Sequence, residues 1–173
     1  GDEGRIPPPL TLVGAKLQPA WLKKVLFDGV SVRPYMATRM PQYGAANLEQ
    51  LPELFARVDV FTGHEMTIPH PESESEAERE RERRLRKAGH ELLGDKGVAC
   101  VVCHNFNGKP APVNKGIDLM TTYQRLQPAW FSAFLKNPGA FRPRTIMPTA
   151  WPNGVAAHRT ILDGDANQQI EAI

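Results

Sequence analysis

A chain of 173 residues has room for one domain or two small ones, and 41% hydrophobic with 23% charged residues is the composition of a folded, globular protein rather than a disordered one. With 21 basic residues against 19 acidic, the formal net charge of +2 gives no electrostatic reason to expect a nucleic-acid partner. No apolar run reaches the ~18 residues of a membrane span, and the first ten residues lack the basic-then-apolar order of a signal peptide, so the chain reads as soluble with any export signal removed.

The 16 prolines and 14 glycines predict many loops between short elements. The first expected helix opens at Pro19, because the first helical position tolerates a missing amide donor. Trp21, Leu22, Val25 and Leu26 give it one apolar face, and Asp28-Gly29 ends it. A Pro-rich loop follows, from Arg33-Pro34 to Met40-Pro41. Asn47 can cap a further helix bearing Leu48, Leu51, Leu54, Phe55 and Val58, with Pro52 interrupting or shifting its first turn. After a linker, Ser73 with Glu76 and Ser75 with Glu78 both fit a capping box at the start of a charged helix. Glu80 with Arg84 and Glu82 with Arg86 have the i to i+4 spacing of a solvated helix face. That helix runs through Leu92 and Leu93 toward the sequence CVVCH, residues 100–104.

Beyond it the chain repeats itself. KLQPAWLKKVL is matched by RLQPAWFSAFL, and VRPYMATRMP by FRPRTIMP, with Trp21 and Trp130 lying 109 positions apart. A period that long indicates duplicated small domains rather than a solenoid, whose repeats run ~20 to 50 residues. The second copy predicts a helix from Pro128 carrying Trp130, Phe131, Phe134 and Leu135. Asn137-Pro138-Gly139 ends it, and a loop through Arg142-Pro143 leads to Met147-Pro148.

Two cysteines three positions apart are no disulfide framework, and Cys-x-x-Cys-His is the attachment signature of c-type haem. Cys100 and Cys103 would form the thioethers, and His104 would be the proximal iron ligand. Structural zinc would need a second ligand pair, and no further Cys exists. A thioredoxin-like dithiol would need a preceding strand, where a charged helix is expected. Met147, 43 positions after His104 on a Pro-rich loop, is the expected sixth ligand. His158 is the runner-up. His64, His70 and His90, and Met36, Met66 and Met120, read as surface or packing residues.

Together these residues resemble the class I c-type cytochromes, particularly bacterial domains that occur fused or in tandem. The resemblance spans roughly residue 73 to the last. It implies an all-α fold of small helices around a covalent haem, with residues 74–93 as the first helix. It makes Pro112 the support of His104, Trp130 the aromatic packed on the haem and Met147 the distal ligand. Arg142 is either the partner of a haem propionate or a solvated surface arginine. The last helix of such a domain should be several turns long, yet the sequence leaves only ANQQIEAI for it. Residues 1–62 would be a partial copy without a haem peptide, 63–72 a linker and 73–173 the haem domain. Gly4-Arg5-Ile6-Pro7-Pro8 resembles Gly108-Lys109-Pro110-Ala111-Pro112, which would put a first haem peptide just upstream of Gly1, with Met40 a distal ligand lacking its iron; the competing version is a vestigial first domain that lost its haem and packs on the second. The function so implied is electron transfer rather than enzymatic turnover, by a periplasmic or exported protein that meets redox partners and belongs with an upstream haem domain. A haem sensor or a catalytic haem, with Met147 dissociating, is the alternative. A docking module using the N-terminal repeat as a contact surface is a third reading.

Overall fold

Prolines open both helices that carry the repeated sequence. The computed structural model describes residues 7–33, 36–63, 66, 75–114 and 116–173. A short helix α1 (Val13–Lys16) leads into α2 (Pro19–Asp28), which ends where Gly29 takes the left-handed conformation, φ 67°. The next two are α3 (Ala45–Leu48) and α4 (Leu51–Val58). The expected cap at Asn47 is not formed. Gly44 is the cap, and Asn47 lies inside α3 with its side-chain amide donating to the Tyr43 carbonyl at 2.6 Å. Pro52 occupies the first turn of α4, which is why two short helices stand where one was expected. Leu48 is buried with Leu22 and Leu26, and Leu51 and Phe55 pack on them, whereas Leu54 and Val58 face solvent.

The charged helix α5 (Glu76–Leu93) starts with the Ser75/Glu78 capping box. Of the two expected ion pairs, Glu82 with Arg86 forms. Glu80 pairs instead with Arg83, and Arg84 reaches Asp163 at 2.9 Å, because the helix lies against the C-terminal segment and long-range partners compete with local ones. Gly4, Arg5, Ile6, Pro34, His64, His70, Ser73 and Glu74, all used in the sequence reading, lie outside the described residues.

After α6 (Cys100–Cys103) the chain reaches α7 (Thr122–Arg125) and α8 (Pro128–Lys136). The expected stop at Asn137 is formed, and a further turn begins directly after it. The Asn137 side chain accepts from the Ala140 amide and caps that turn, α9 (Pro138–Phe141). The chain closes with α10 (Ala166–Ala172), capped by Asp165. The fold is mostly helical, and β-type pairing among the described residues is limited to three isolated bridges.

Helix α10 crosses α5 close against its backbone at Gly89. A Cβ built on Gly89 would meet the Ala172 carbonyl oxygen at 2.0 Å, so glycine is required there. Around this crossing Leu85, Ala88 and Leu92 of α5 bury with Ile161 and Leu162. A second cluster joins Leu135, Trp151, Ala156 and Ile170, and Val98 packs on both. Arg81 with Glu171 and Arg84 with Asp163 add ion pairs across the same contact, each worth ~0–1 kcal/mol at an exposed site.

The two copies of the repeat meet face to face. Helices α1 and α7 have matching bounds in the 109-residue register, and both α2 and α8 begin at the proline. The residues between them pair reciprocally. The Gln18 amide donates to the Arg125 carbonyl at 2.8 Å, and the Gln127 amide to the Lys16 carbonyl at 2.9 Å. The Gln18 side chain donates to Leu126 O at 3.1 Å, and the Gln127 side chain to Leu17 O at 3.0 Å. Leu17 and Leu126 form an antiparallel bridge between them. This is a two-fold contact within one chain, in which each copy offers the other the same donors and acceptors. Gln127 adds one bond that Gln18 lacks, to Gly14 O at 2.6 Å.

That asymmetry is measurable. Gln127→Ala leaves two partly buried carbonyls unpaired and should lower unfolding free energy by about 1–3 kcal/mol, against about 0.5–1.5 kcal/mol for Gln18→Ala. Denaturant titration of the two variants checks the order.

Candidate functional site around Cys100, Cys103 and His104

The end of α5 aims the motif. Gly94 caps the helix, the Val98 amide returns to Leu92 O at 2.7 Å and the Ala99 amide to Gly94 O at 3.0 Å. This tight turn drives Val98 into both cores and leaves Ala99 in the left-handed region, φ 60°, directly before Cys100. A non-glycine residue held there is mildly strained and persists only because its surroundings fix it. Cys100 to Cys103 then make a single helical turn, closed by the His104 amide donating to Cys100 O at 2.9 Å. Both thiols are free and half-buried. Burial pushes the Cys100 thiol above its ordinary pKa.

His104 leaves the turn in an extended conformation, and the loop after it returns to hold the ring. The Gly116 amide donates to Cys103 O at 2.9 Å, forming a parallel bridge with His104. The His104 Nδ1 lies 3.0 Å from the Ile117 carbonyl oxygen. A carbonyl can only accept, so Nδ1 carries the proton and Nε2 is the nitrogen left with a free lone pair. A Cβ on Gly116 would stand 2.8 Å from Nδ1 and 2.5 Å from Cys103 O. Glycine is thus required against the ring.

Asp118 fastens the same loop. Its carboxylate accepts from the amides of Gly108 at 2.8 Å, Met120 at 2.9 Å and Asn107 at 3.2 Å. These amides, Gly108 foremost, hold its pKa below the ordinary carboxylate range. Asn105 ties the loop from the other side, with its carbonyl accepting from Leu119 and its side chain from Ala111, each at 3.0 Å. Pro112 is exposed on this loop.

Met147 is half-buried and packs on the cluster of Leu135, Trp151, Ala156 and Ile170, to which Val98 also contributes. The loop carrying it is anchored four residues on. Trp151, 1% exposed, donates from its indole to Gln169 Oε1 at 2.9 Å, and the Gln169 amide donates to the carbonyls of His158 and Ile161, each at 2.7 Å. This buried clasp is fully satisfied and joins the Met147 loop to α10. Trp130 is buried at the junction of the two repeats, stacked on Phe134 at 4.9 Å, edge-on to Phe141 at 5.4 Å and covered by the Lys16 ammonium at 4.9 Å. Arg142 is half-buried beyond α9, Met40 is 42% exposed, His90 is exposed and His158 half-buried. Met36 is buried, Met120 is largely exposed, and Met66 packs with the Trp151 cluster.

An open cleft of about 370 Å³ lies between α5, α10 and the segment from Phe106 to Phe131. Leu85, Leu93, Leu119 and Leu126 contribute to its walls, and Cys100, Cys103, His104, Trp130 and Met147 do not. The structure therefore keeps the motif and the cleft as neighbouring features with separate linings. No family model, no characterised protein and no solved structure matches the chain.

The residues present would fit a covalent haem, with the thiols on its vinyl groups and the imidazole on its iron. Two thiols and an imidazole share one turn and its exit, and the imidazole is oriented by a backbone carbonyl on its far nitrogen, as metal-bound histidines usually are. Sequence reasoning did not find Gly116, Ile117, Asp118, Trp151 or Gln169. Only Gly116 and Asp118, a glycine and a turn-forming acid shortly after the motif, carried even a weak local signal.

Gly116→Ala should push the ring or the Cys103 carbonyl aside, lowering stability by about 1–3 kcal/mol and weakening any ligand held by Nε2. Calorimetry reads the first effect and metal-centre absorbance the second. Asp118→Ala should destabilise at neutral pH. Because the folded pKa is depressed, the native carboxylate's contribution is present above the unfolded value, about 4, and lost as pH falls through the folded one. The stability gap between Asp118→Ala and the native chain should therefore close on acidification below about pH 4.

Proposed function

We propose that this chain is an electron-transfer protein carrying one c-type haem, joined through Cys100 and Cys103, with His104 and Met147 as axial ligands. The observation that carries this reading is His104. It follows the CVVC turn directly, and its Nδ1 is engaged by Ile117 O at 3.0 Å, which leaves Nε2 for a metal. The haem, when bound, supplies reversible one-electron chemistry. The protein's part is to orient the imidazole through Gly116 and Ile117 and to present the thioether of Met147 on a loop anchored by Trp151 and Gln169. A thioether raises the reduction potential relative to a second imidazole.

Covalent haem attachment takes place outside the bacterial cytoplasmic membrane, so this reading makes the protein periplasmic or otherwise exported, with redox proteins as its partners. No helix among the described residues is long and apolar enough to cross a membrane. The matching helices of the two repeats favour an origin by duplication of one helical unit. A sensor or catalytic haem draws on a different observation. Ile146, beside Met147, is 80% exposed, and a ligand loop open to solvent can release its sulfur to admit an exogenous ligand.

Expression with a haem-maturation system should yield one covalent haem per chain by mass, and none after Cys100→Ala with Cys103→Ala. The oxidised protein should show the weak long-wavelength absorption band of Met-to-iron ligation. Met147→Ala should abolish that band and lower the potential. A chain that acquires no haem sinks the proposal, and one whose reduced form binds CO readily shifts it to the sensor or catalytic reading.

A further inference from the structure

Between α9 and α10 the chain forms only two short 3₁₀ segments, Pro152–Gly154 and Ile161–Gly164. Asn153, Leu162 and Asp163 stand there in the left-handed region, with φ of 54°, 49° and 55°. Such residues cost a fold free energy and persist only where their surroundings hold them. Leu162, which has no polar side chain to bond its own backbone, is the least suited of the three. This is the stretch that carries Met147.

One side chain of α10 holds it. Gln169, 1% exposed, accepts from the Trp151 indole at 2.9 Å and donates to the carbonyls of His158 and Ile161, each at 2.7 Å. Three points along the strained stretch thus converge on a single amide group. The far end of α10 is fixed to α5, by Ala172 against Gly89 and by Glu171 with Arg81, and α5 leads into the Cys100 turn. Met147 and Val98, the latter two residues before Cys100, pack on one cluster that contains Trp151 and Ile170, the residue after Gln169. Helix α10 therefore joins the two sides on which the proposed axial ligands lie, and Gln169 is where it grips the Met147 side. Removing an outer partner that orients a metal ligand typically weakens the ligation by about 10- to 100-fold.

We propose that Gln169 is the positioning residue of the distal side: it keeps the Met147 thioether where an iron held by His104 can bind it, and its loss turns a closed electron carrier into a haem open to exogenous ligands. The proposal rests on the haem function given above and adds to it the side chain on which the choice between carrier and sensor turns.

The test uses the full chain, expressed with haem maturation, as the native protein and as Gln169→Met, which keeps the length of the side chain and removes all three bonds. Trp151→Phe cuts the indole bond alone and decides where Gln169→Met does not fold. Leu85→Ala, in the neighbouring cluster, lowers Tm without touching the clasp. Gln169→Met should lose the long-wavelength Met-to-iron band, lower the potential and let the reduced form take up CO, whereas Leu85→Ala keeps the band at an equal or larger loss of Tm. Band and potential unchanged in Gln169→Met overturn the proposal and leave Gln169 a core residue. Loss of the band in Leu85→Ala as well overturns it too, because any loosening of the fold would then suffice. A haem-loaded native chain without the band overturns it together with ligation by Met147. Haem content by mass keeps these outcomes apart from the function itself. In a chain without haem the function fails, and amide exchange at residues 144–150 decides: exchange roughly tenfold faster in Gln169→Met than in Leu85→Ala upholds the restraint, and equal rates overturn it.

Discussion

The reciprocal pairing of Gln18 with Arg125 and Leu126, and of Gln127 with Lys16 and Leu17, is the constraint that sets the two copies of the repeat against each other. These residues lie immediately before the prolines that open α2 and α8, so fixing them fixes where both helices start. Helix α2 then carries Leu22 and Leu26 into the N-terminal core, and α8 carries Leu135 into the cluster with Trp151 and Ile170. The two cores share no buried residue. Their relation is set by a polar seam together with the contacts of Trp130 under Lys16 and of Phe61 with Phe141, and the directional bonds of the seam specify one register in a way that apolar contact alone would not.

The candidate site depends on a second constraint, independent of the first. The Cys100–Cys103 turn is placed by α5, and α5 is placed by its crossing with α10 at Gly89, where no side chain fits. The imidazole of His104, in contrast, is set by residues that come after it: Gly116 as a flat wall, Ile117 as an acceptor, Asp118 as the clamp on the returning loop. Anchor and ligand are thus positioned by opposite sides of the motif. A defect in the loop can misdirect the histidine while leaving the cysteines where they were.

What could be read from the sequence divides along the same lines. Helix starts at Pro19, Ser75 and Pro128 and the stop at Gly29 were legible because each rests on local backbone chemistry. Asn47 was misread as a cap because an asparagine can cap or donate backward, and its neighbours in space decide which; the stop at Asn137 was legible, but the new turn that its side chain caps was not. The Glu80 to Arg84 pair was displaced by Asp163, a residue no local rule could supply. In the site, CVVCH was visible as a pattern, whereas Ile117 and Gln169 act through a backbone oxygen and a buried side-chain amide, which leave no pattern. The duplication was visible too, but repetition in a sequence carries no information on whether the copies stack, separate or face each other.

The facing contact also sets how little energy is needed to keep the halves together. Separate molecules would spend several kcal/mol on lost translation and rotation before gaining anything from an interface, and a seam of a few hydrogen bonds could not meet that. Within one chain the partner is always present, so the contact need not offset that cost. The connection between the repeats is in that sense a structural component equal in weight to the glutamines it brings together, and a cut through it would turn a stable arrangement into a dilution-dependent one.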